Sequence, residues 1–205
     1  MDAQAWDERY AAARQWSVTP NALLAERLGD LTPARGLDLA CGEGRNAIWL
    51  AGLGWRMTAM DFSAVALDRG REAAEEHRVE VEWVVGDATQ APLPETDLVV
   101  LAYLQLPAAS RRTAVRRAWE SLAPGGTFFL VAHDSTNLTE GTGGPQDPAV
   151  LYTATDVLGD LAGLAEPEVV AAERVARVVS SEDAHGGTVD RTAWDALVHL
   201  VRPAR

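Results

Sequence analysis

The densest chemistry in this chain lies between Leu37 and Ala47, where Asp38 precedes Gly42-x-Gly44-x-x-Ala47. Glycines at this spacing let a backbone turn tightly and approach a ligand that a Cβ would obstruct, while the following helix aims its amino end at the same place. Taken alone, such a turn fits a nicotinamide or flavin dinucleotide equally well. Asp38 breaks the tie, because a pyrophosphate would meet its negative charge whereas a ligand carrying ammonium and sulfonium groups would be attracted. Two further carboxylates, Asp61 and Asp87, end the next two apolar runs, where a dinucleotide site needs only one. Either alone would serve as a cap or turn residue. Three at consecutive strand ends, beside a glycine turn, are hard to produce by capping needs.

The segments Asp38-Leu-Ala-Cys-Gly42-Glu-Gly44, Asp61-Phe62-Ser63-x-x-x-Leu67 and Gly86-Asp87-Ala88 resemble, in order and spacing, the three cofactor motifs of class I methyltransferases that use S-adenosylmethionine (SAM). The run from Cys41 to Ala47 is most similar to the tellurite-resistance and thiopurine methyltransferase-like group, whose members begin with a short helical cap. The resemblance implies that Asp38, Gly44 and Ala102 line the cofactor site, and that Gly42 and the Ala40 backbone contact the amino acid portion. It also implies that Asp61 holds the ribose hydroxyls, Phe62 flanks the adenine, and Asp87 with Ala88 receives the adenine edge. An ionised carboxylate is a pure acceptor, which suits Asp61 to a diol and Asp87 to an amino group. The product would be S-adenosylhomocysteine.

Methyl transfer needs the acceptor in line behind the methyl carbon, and alignment alone supplies much of the acceleration. Thiolates, amines and chalcogen anions arrive nucleophilic, while hydroxyls need a proton removed. The residues placed to meet a small acceptor are Tyr103, His133 and Asp134, with Arg9, Tyr10 and Trp16 from the N-terminal helices. His133 is expected to take a proton or orient the acceptor, Asp134 to fix its tautomer, and Tyr103 to hydrogen-bond the acceptor. Trp6 and Trp16 read as helix-packing residues, one of which could cover the cofactor. A SAM-binding sensor without acceptor chemistry and a nicotinamide-dependent oxidoreductase stay open as alternatives; the latter leaves Asp38 and Asp87 without a use.

The elements that must hold these groups follow from periodicity and breakers. Helices are predicted over 3–15, 20–29, 46–54, 63–77, 107–122 and 155–164, and strands over 37–40, 56–61, 79–85, 98–102 and 127–132. The runs 169–179 and 194–202 alternate as an antiparallel hairpin does, joined through Gly186 and Gly187. Pro124-Gly125-Gly126 reads as a turn, and 133–148 as a Gly-rich functional loop. The pattern predicts an α/β, Rossmann-like three-layer sandwich with a mostly parallel seven-stranded sheet and a terminal antiparallel hairpin. The resemblance implies the strand order 3-2-1-4-5-7-6. One domain is expected over 1–205, with a helical cap over 1–30 and the core over 34–205.

With 47% hydrophobic and 23% charged residues, the 205-residue chain has ordinary globular composition. A formal net charge of −12 opposes binding to phosphate backbones, so no nucleic-acid partner is expected. The run Arg111, Arg112, Arg116 and Arg117 reads as a solvated helix face. Cys41 is the sole cysteine, and His77, His185 and His199 lack neighbours at ligand spacing, so no metal is expected. With no apolar stretch of membrane-spanning length and no export signal, no membrane partner is expected and a cytoplasmic setting is.

Overall fold

The computed structural model describes residues 3–12, 19–182 and 188–204. Helices α1 (Ala3–Ala12) and α2 (Ala22–Leu28) precede β1 (Arg35–Leu39), α3 (Arg45–Gly52), β2 (Arg56–Asp61), α4 (Ala64–His77), β3 (Val81–Val85) and β4 (Thr96–Ala102). Then come α5 (Ala108–Ser121), β5 (Leu122–His133), the short α6 (Asn137–Glu140), α7 (Ala154–Asp160), and the long strands β6 (Glu168–Glu182) and β7 (Thr188–Val201). The predicted extension of the first helix beyond residue 12, with Trp16, and the hairpin tip with His185, Gly186 and Gly187, lie outside the described residues.

The seven strands form one sheet in the order β3-β2-β1-β4-β5-β7-β6, as the resemblance implied. β1 to β5 run parallel, and β7 pairs antiparallel with both β5 and β6. One face packs Leu24, Leu28, Ala47 and Leu50 of α2 and α3 against Leu98, Val100, Phe129 and Leu197. The other packs Ala114, Val115 and Trp119 of α5 and Val157 of α7 against Val99, Leu101, Phe128 and Val198. Alternate residues of the central strands thus feed opposite cores, which is why β4 reads as a continuous apolar run.

Local signals set the helix starts. The Asn21 side chain accepts from Leu24 N, Ser63 from Ala66 N, and Thr153 forms a reciprocal capping box with Asp156. Two expectations need correction. Pro124-Gly125-Gly126 is no free turn but part of β5, where Gly125 N donates to Arg202 O and Arg202 N to Gly126 O, both at 2.8 Å. The ladder with β4 shifts register there, between Thr96 and Leu98.

Of the α5 arginines only Arg112 is exposed as a solvated face requires. Arg111 is buried and pairs through Nε with Asp160 Oδ2 at 2.7 Å, and Arg116 donates to the Asp160 and Ala162 carbonyls at 3.0 and 2.9 Å. Arg112 adds an ion pair to Asp160 Oδ1 at 3.3 Å, so these three clamp the end of α7 onto α5. Arg117 donates to the Gln90 carbonyl at 3.2 Å and to the Ala91 carbonyl, tying α5 to the segment after β3, a long-range use that helical periodicity does not encode.

Candidate active site

The turn after β1 carries three left-handed residues within five positions: Ala40 (φ 59°), Gly42 (φ 57°) and Gly44 (φ 71°). Asp38, wholly buried in β1, accepts from Ala47 N at 3.1 Å through Oδ2 and so ties the strand to the first turn of α3. Its Oδ1 is buried without a partner. Burial pushes the Asp38 pKa up to about 7, with the Ala47 amide and Arg45 pulling the other way.

Asp61, at the end of β2, accepts from Gly42 N at 2.8 Å and from Ser63 N at 2.9 Å. Burial raises its pKa against those two amides. Gly86 N donates to the Asp61 carbonyl at 2.9 Å, which brings the end of β3 alongside. There Asp87 is exposed and accepts from Thr89 N and Oγ1, both at 2.7 Å, while Ala88 is buried. Phe62 and Ala102 are half-buried at the ends of β2 and β4. The parallel strands therefore gather Asp38, Asp61 and Asp87 along one rim, the carboxyl ends, where open α/β sheets take ligands.

At Gly44 a Cβ would meet the Trp83 ring at 2.5 Å, so the bare backbone also accommodates an aromatic side chain from β3.

The N-terminal helix reaches this rim. Asp7 accepts from the Ser63 hydroxyl and, at 3.4 Å, from Val65 N, while Arg69 donates to Ala11 O at 3.2 Å, seating α1 on the amino end of α4. Within α1, Trp6 stacks on the buried Tyr10 with ring centroids 5.5 Å apart, and Arg9 lies over the Trp6 ring.

The second half of the site lies at the ends of β4, β5 and β7. Tyr103 (φ 61°) donates its hydroxyl proton to Asp195 Oδ2 at 2.8 Å and accepts from Asn21 Nδ2 at 3.3 Å. The His133 ring lies 4.8 Å from the Tyr103 ring, and its Nδ1 is 3.4 Å from Asp195 Oδ1. Arg177 of β6 completes the group, with Nε 2.7 Å from Asp195 Oδ2 and its guanidinium 5.7 Å from the Tyr103 ring centre. Burial pushes Asp195 up in pKa, but His133, Arg177 and Tyr103 outweigh it and hold the carboxyl below its usual range. Burial, reinforced by Asp195, raises the Tyr103 phenol.

Asp134 does not fix the His133 tautomer. Its Oδ1 accepts from Thr136 N at 2.9 Å and Thr136 Oγ1 at 2.8 Å, shaping the turn after β5. Successive residues of an extended chain point to opposite faces, so a neighbour in sequence is poorly placed to orient His133. The carboxylate that does face His133 is its cross-strand partner in the β5–β7 ladder, Asp195. The available signal was a lone carboxylate inside the apolar run from Ala193 to Val201. The Tyr103 hydroxyl is engaged on both counts, donating its proton to Asp195 and accepting a hydrogen bond from Asn21 Nδ2.

A cleft of about 560 Å³ lies at the opposite ends of the strands, among Arg35, Arg56, Glu82 and Glu95, away from all of these groups. Among the described residues no group of three His, Cys, Asp or Glu is placed to hold a metal ion, and no helix is long and apolar enough to cross a membrane.

Residues 37–126 match the family described as a methyltransferase domain. Over 110 residues the chain is 26% identical to the probable S-adenosyl-L-methionine-dependent methyltransferase TehB of Haemophilus influenzae, covering 52% of this chain and 38% of that protein. Over 109 residues it is 28% identical to the tRNA 5-carboxymethoxyuridine methyltransferase of Escherichia coli, covering 51% and 42%. The match thus spans well under half the length of these curated relatives. In structure, TehB of H. influenzae superposes with a TM-score of 0.74 at 16% identity, over 96% of this chain and 67% of that one. The N-methyltransferase NodS of Bradyrhizobium japonicum, solved with S-adenosylhomocysteine, gives 0.70 at 20% identity over 98% of both. At such identities the likeness is one of fold, and it coincides with the strand order and with motifs that lie within the matched residues. Residues 37–126 thus carry the pattern of a methyltransferase domain, and the fold as a whole is that of the methyltransferases TehB and NodS.

Proposed function

We propose that this chain binds SAM along the carboxyl rim of β1 to β4 and transfers its methyl group to a small-molecule acceptor. The observation that carries the reading is the Asp38–Gly42–Asp61 arrangement. A left-handed turn is pinned to an acid from the neighbouring strand, beside a buried carboxylate oxygen that lacks a partner. A cationic ligand at the turn would satisfy that oxygen and favour ionised Asp38. Asp61 keeps acceptor capacity beyond its two amide bonds, as a ribose diol requires. When bound, SAM supplies an electrophilic methyl on a sulfonium.

The small-molecule assignment rests on charge. A net charge of −12 sets a long-range penalty on polyanionic substrates, although curated relatives are named for ribosomal RNA and tRNA reactions. The seating of α1 on α4 through Asp7, and the packing of Gly144 against His133, support a cover over the site built from the N-terminal helix and the loop from Ser135 to Pro148.

Calorimetry with SAM and with NAD, followed by detection of S-adenosylhomocysteine across thiols, phenols and selenite or tellurite, tests the reading. SAM binding with turnover of at least one small acceptor is expected. Binding of NAD in its place overturns the assignment. SAM binding without turnover of any acceptor makes the chain a sensor or partner-binding module.

A further inference from the structure

We infer that Asp195 is a positioning residue that presents His133 as a general base, and that the acceptor is therefore one that must lose a proton, a thiol, hydroxyl or ammonium group. The inference rests on the methyltransferase reading and narrows its substrate class. His133 is held on both sides, by the Tyr103 ring and by the backbone at Gly144, where a Cβ would meet the imidazole Cγ at 2.9 Å. Its Nδ1 is buried, and the oxygen facing it is Asp195 Oδ1 at 3.4 Å, an ion-pair distance still outside hydrogen-bond alignment.

Asp195, kept ionised by its partners, can only accept, so a neutral imidazole beside it must carry its proton on Nδ1. That leaves the lone pair on Nε2, which no described side chain engages and which is not buried. The same carboxylate also takes the Tyr103 proton and the Arg177 guanidinium, so its charge is balanced and its orientation fixed.

The charged and titratable groups facing His133 are therefore Asp195 on β7, Arg177 on β6 and Tyr103 after β4. Arg45 of α3 interacts electrostatically with Tyr103 and Arg177, and Asp134 is turned away to Thr136. In the transfer, the acceptor lone pair forms the new bond to the methyl carbon and the sulfur–carbon bond breaks with its electrons returning to sulfur. The acceptor proton passes to His133 Nε2, and the resulting imidazolium faces Asp195. An oxyanion with no proton to lose would have no use for this dyad.

The test uses the full chain with S-adenosylhomocysteine bound and reads the tautomer of the His133 ring by nitrogen NMR. The Nδ1–H tautomer is expected in the wild type. Asp195→Asn, which can donate as well as accept, should populate the Nε2–H tautomer too, whereas Arg177→Gln, on the half-exposed β6, should keep Nδ1–H because Asp195 remains. Calorimetric affinity for S-adenosylhomocysteine should stay within about twofold in both variants. Turnover of a phenol or thiol probe should fall with the Nδ1–H population in Asp195→Asn, and at least about tenfold in His133→Gln.

An unchanged Nδ1–H tautomer in Asp195→Asn while S-adenosylhomocysteine still binds overturns this inference alone. Turnover of selenite without any thiol, phenol or amine does the same. Failure of the wild type to bind S-adenosylhomocysteine overturns the methyltransferase reading as well. Should Asp195→Asn fail to fold, the wild type decides, since an Nε2–H tautomer of His133 there overturns the inference.

Discussion

Gly42 N donates to Asp61 Oδ2 at 2.8 Å, so the turn leaving β1 and the acid ending β2 form one unit. The other Asp61 oxygen takes Ser63 N, which makes this carboxylate the brace of the turn as well as a candidate ligand group. Asp61→Ala should lower stability by about 1–3 kcal/mol, the cost of leaving buried amides without acceptors, and weaken SAM binding at least about tenfold. Denaturant unfolding and calorimetry check the two effects, and Asp61→Asn should restore part of the stability but little of the binding.

Asp38 gives a pH dependence with a definite sign. Its folded pKa, about 7, lies above the unfolded value of 3.8, so between those values the folded state holds a proton that the unfolded state has lost. The Asp38 contribution to stability should therefore decline as pH rises from about 4 to about 7 and level off above. A cationic ligand favours ionised Asp38, so SAM binding near pH 7 should release protons, and affinity should fall by up to about tenfold per unit below that pH. Buffers of different ionisation enthalpy in calorimetry reveal the release, which Asp38→Asn should abolish.

Gly44→Ala combines a left-handed backbone (φ 71°) with a Cβ driven into the Trp83 ring. We expect a loss of about 2–4 kcal/mol from strain and overpacking together. Trp83→Leu in the same chain should recover the packing part only. Thermal or denaturant unfolding of the single and double variants separates the two.

The buried Arg111–Asp160 pair makes a stability prediction remote from the site. Arg111→Ala should destabilise, but by less than the about 3–5 kcal/mol of a fully orphaned buried charge, because Arg112 Nε stays 3.3 Å from Asp160 Oδ1. Arg111→Ala with Arg112→Ala should approach that cost. SAM affinity should change little in either case.

Removing residues 1–18 tests the proposed cover, since Asp7 is the tie between α1 and the start of α4. SAM affinity and turnover should both drop, and unchanged values would leave α1 a packing element only.

Much of this was legible in the sequence because it is local or periodic. Alternating apolar runs mark the strands, Ser63 and Thr153 mark helix starts, and Asp38, Asp61 and Asp87 stand at or near the carboxyl end of a strand. What escaped depends on contacts between distant segments. Asp195 meets His133 only through the β5–β7 register, which pairs residues from opposite ends of the second half of the chain. That Gly44 also makes room for Trp83 escaped because Trp83 stands on a strand two places along the sheet. The α5 arginines resembled a surface stripe because nothing in a helical period announces Asp160.

The β5–β7 ladder also bears on what a shortened chain retains. All three rim carboxylates are present in the chain by residue 87, whereas the acid facing His133 follows only at residue 195, on β7. A chain cut before residue 195 would keep all three rim acids yet lack the carboxylate that faces the imidazole.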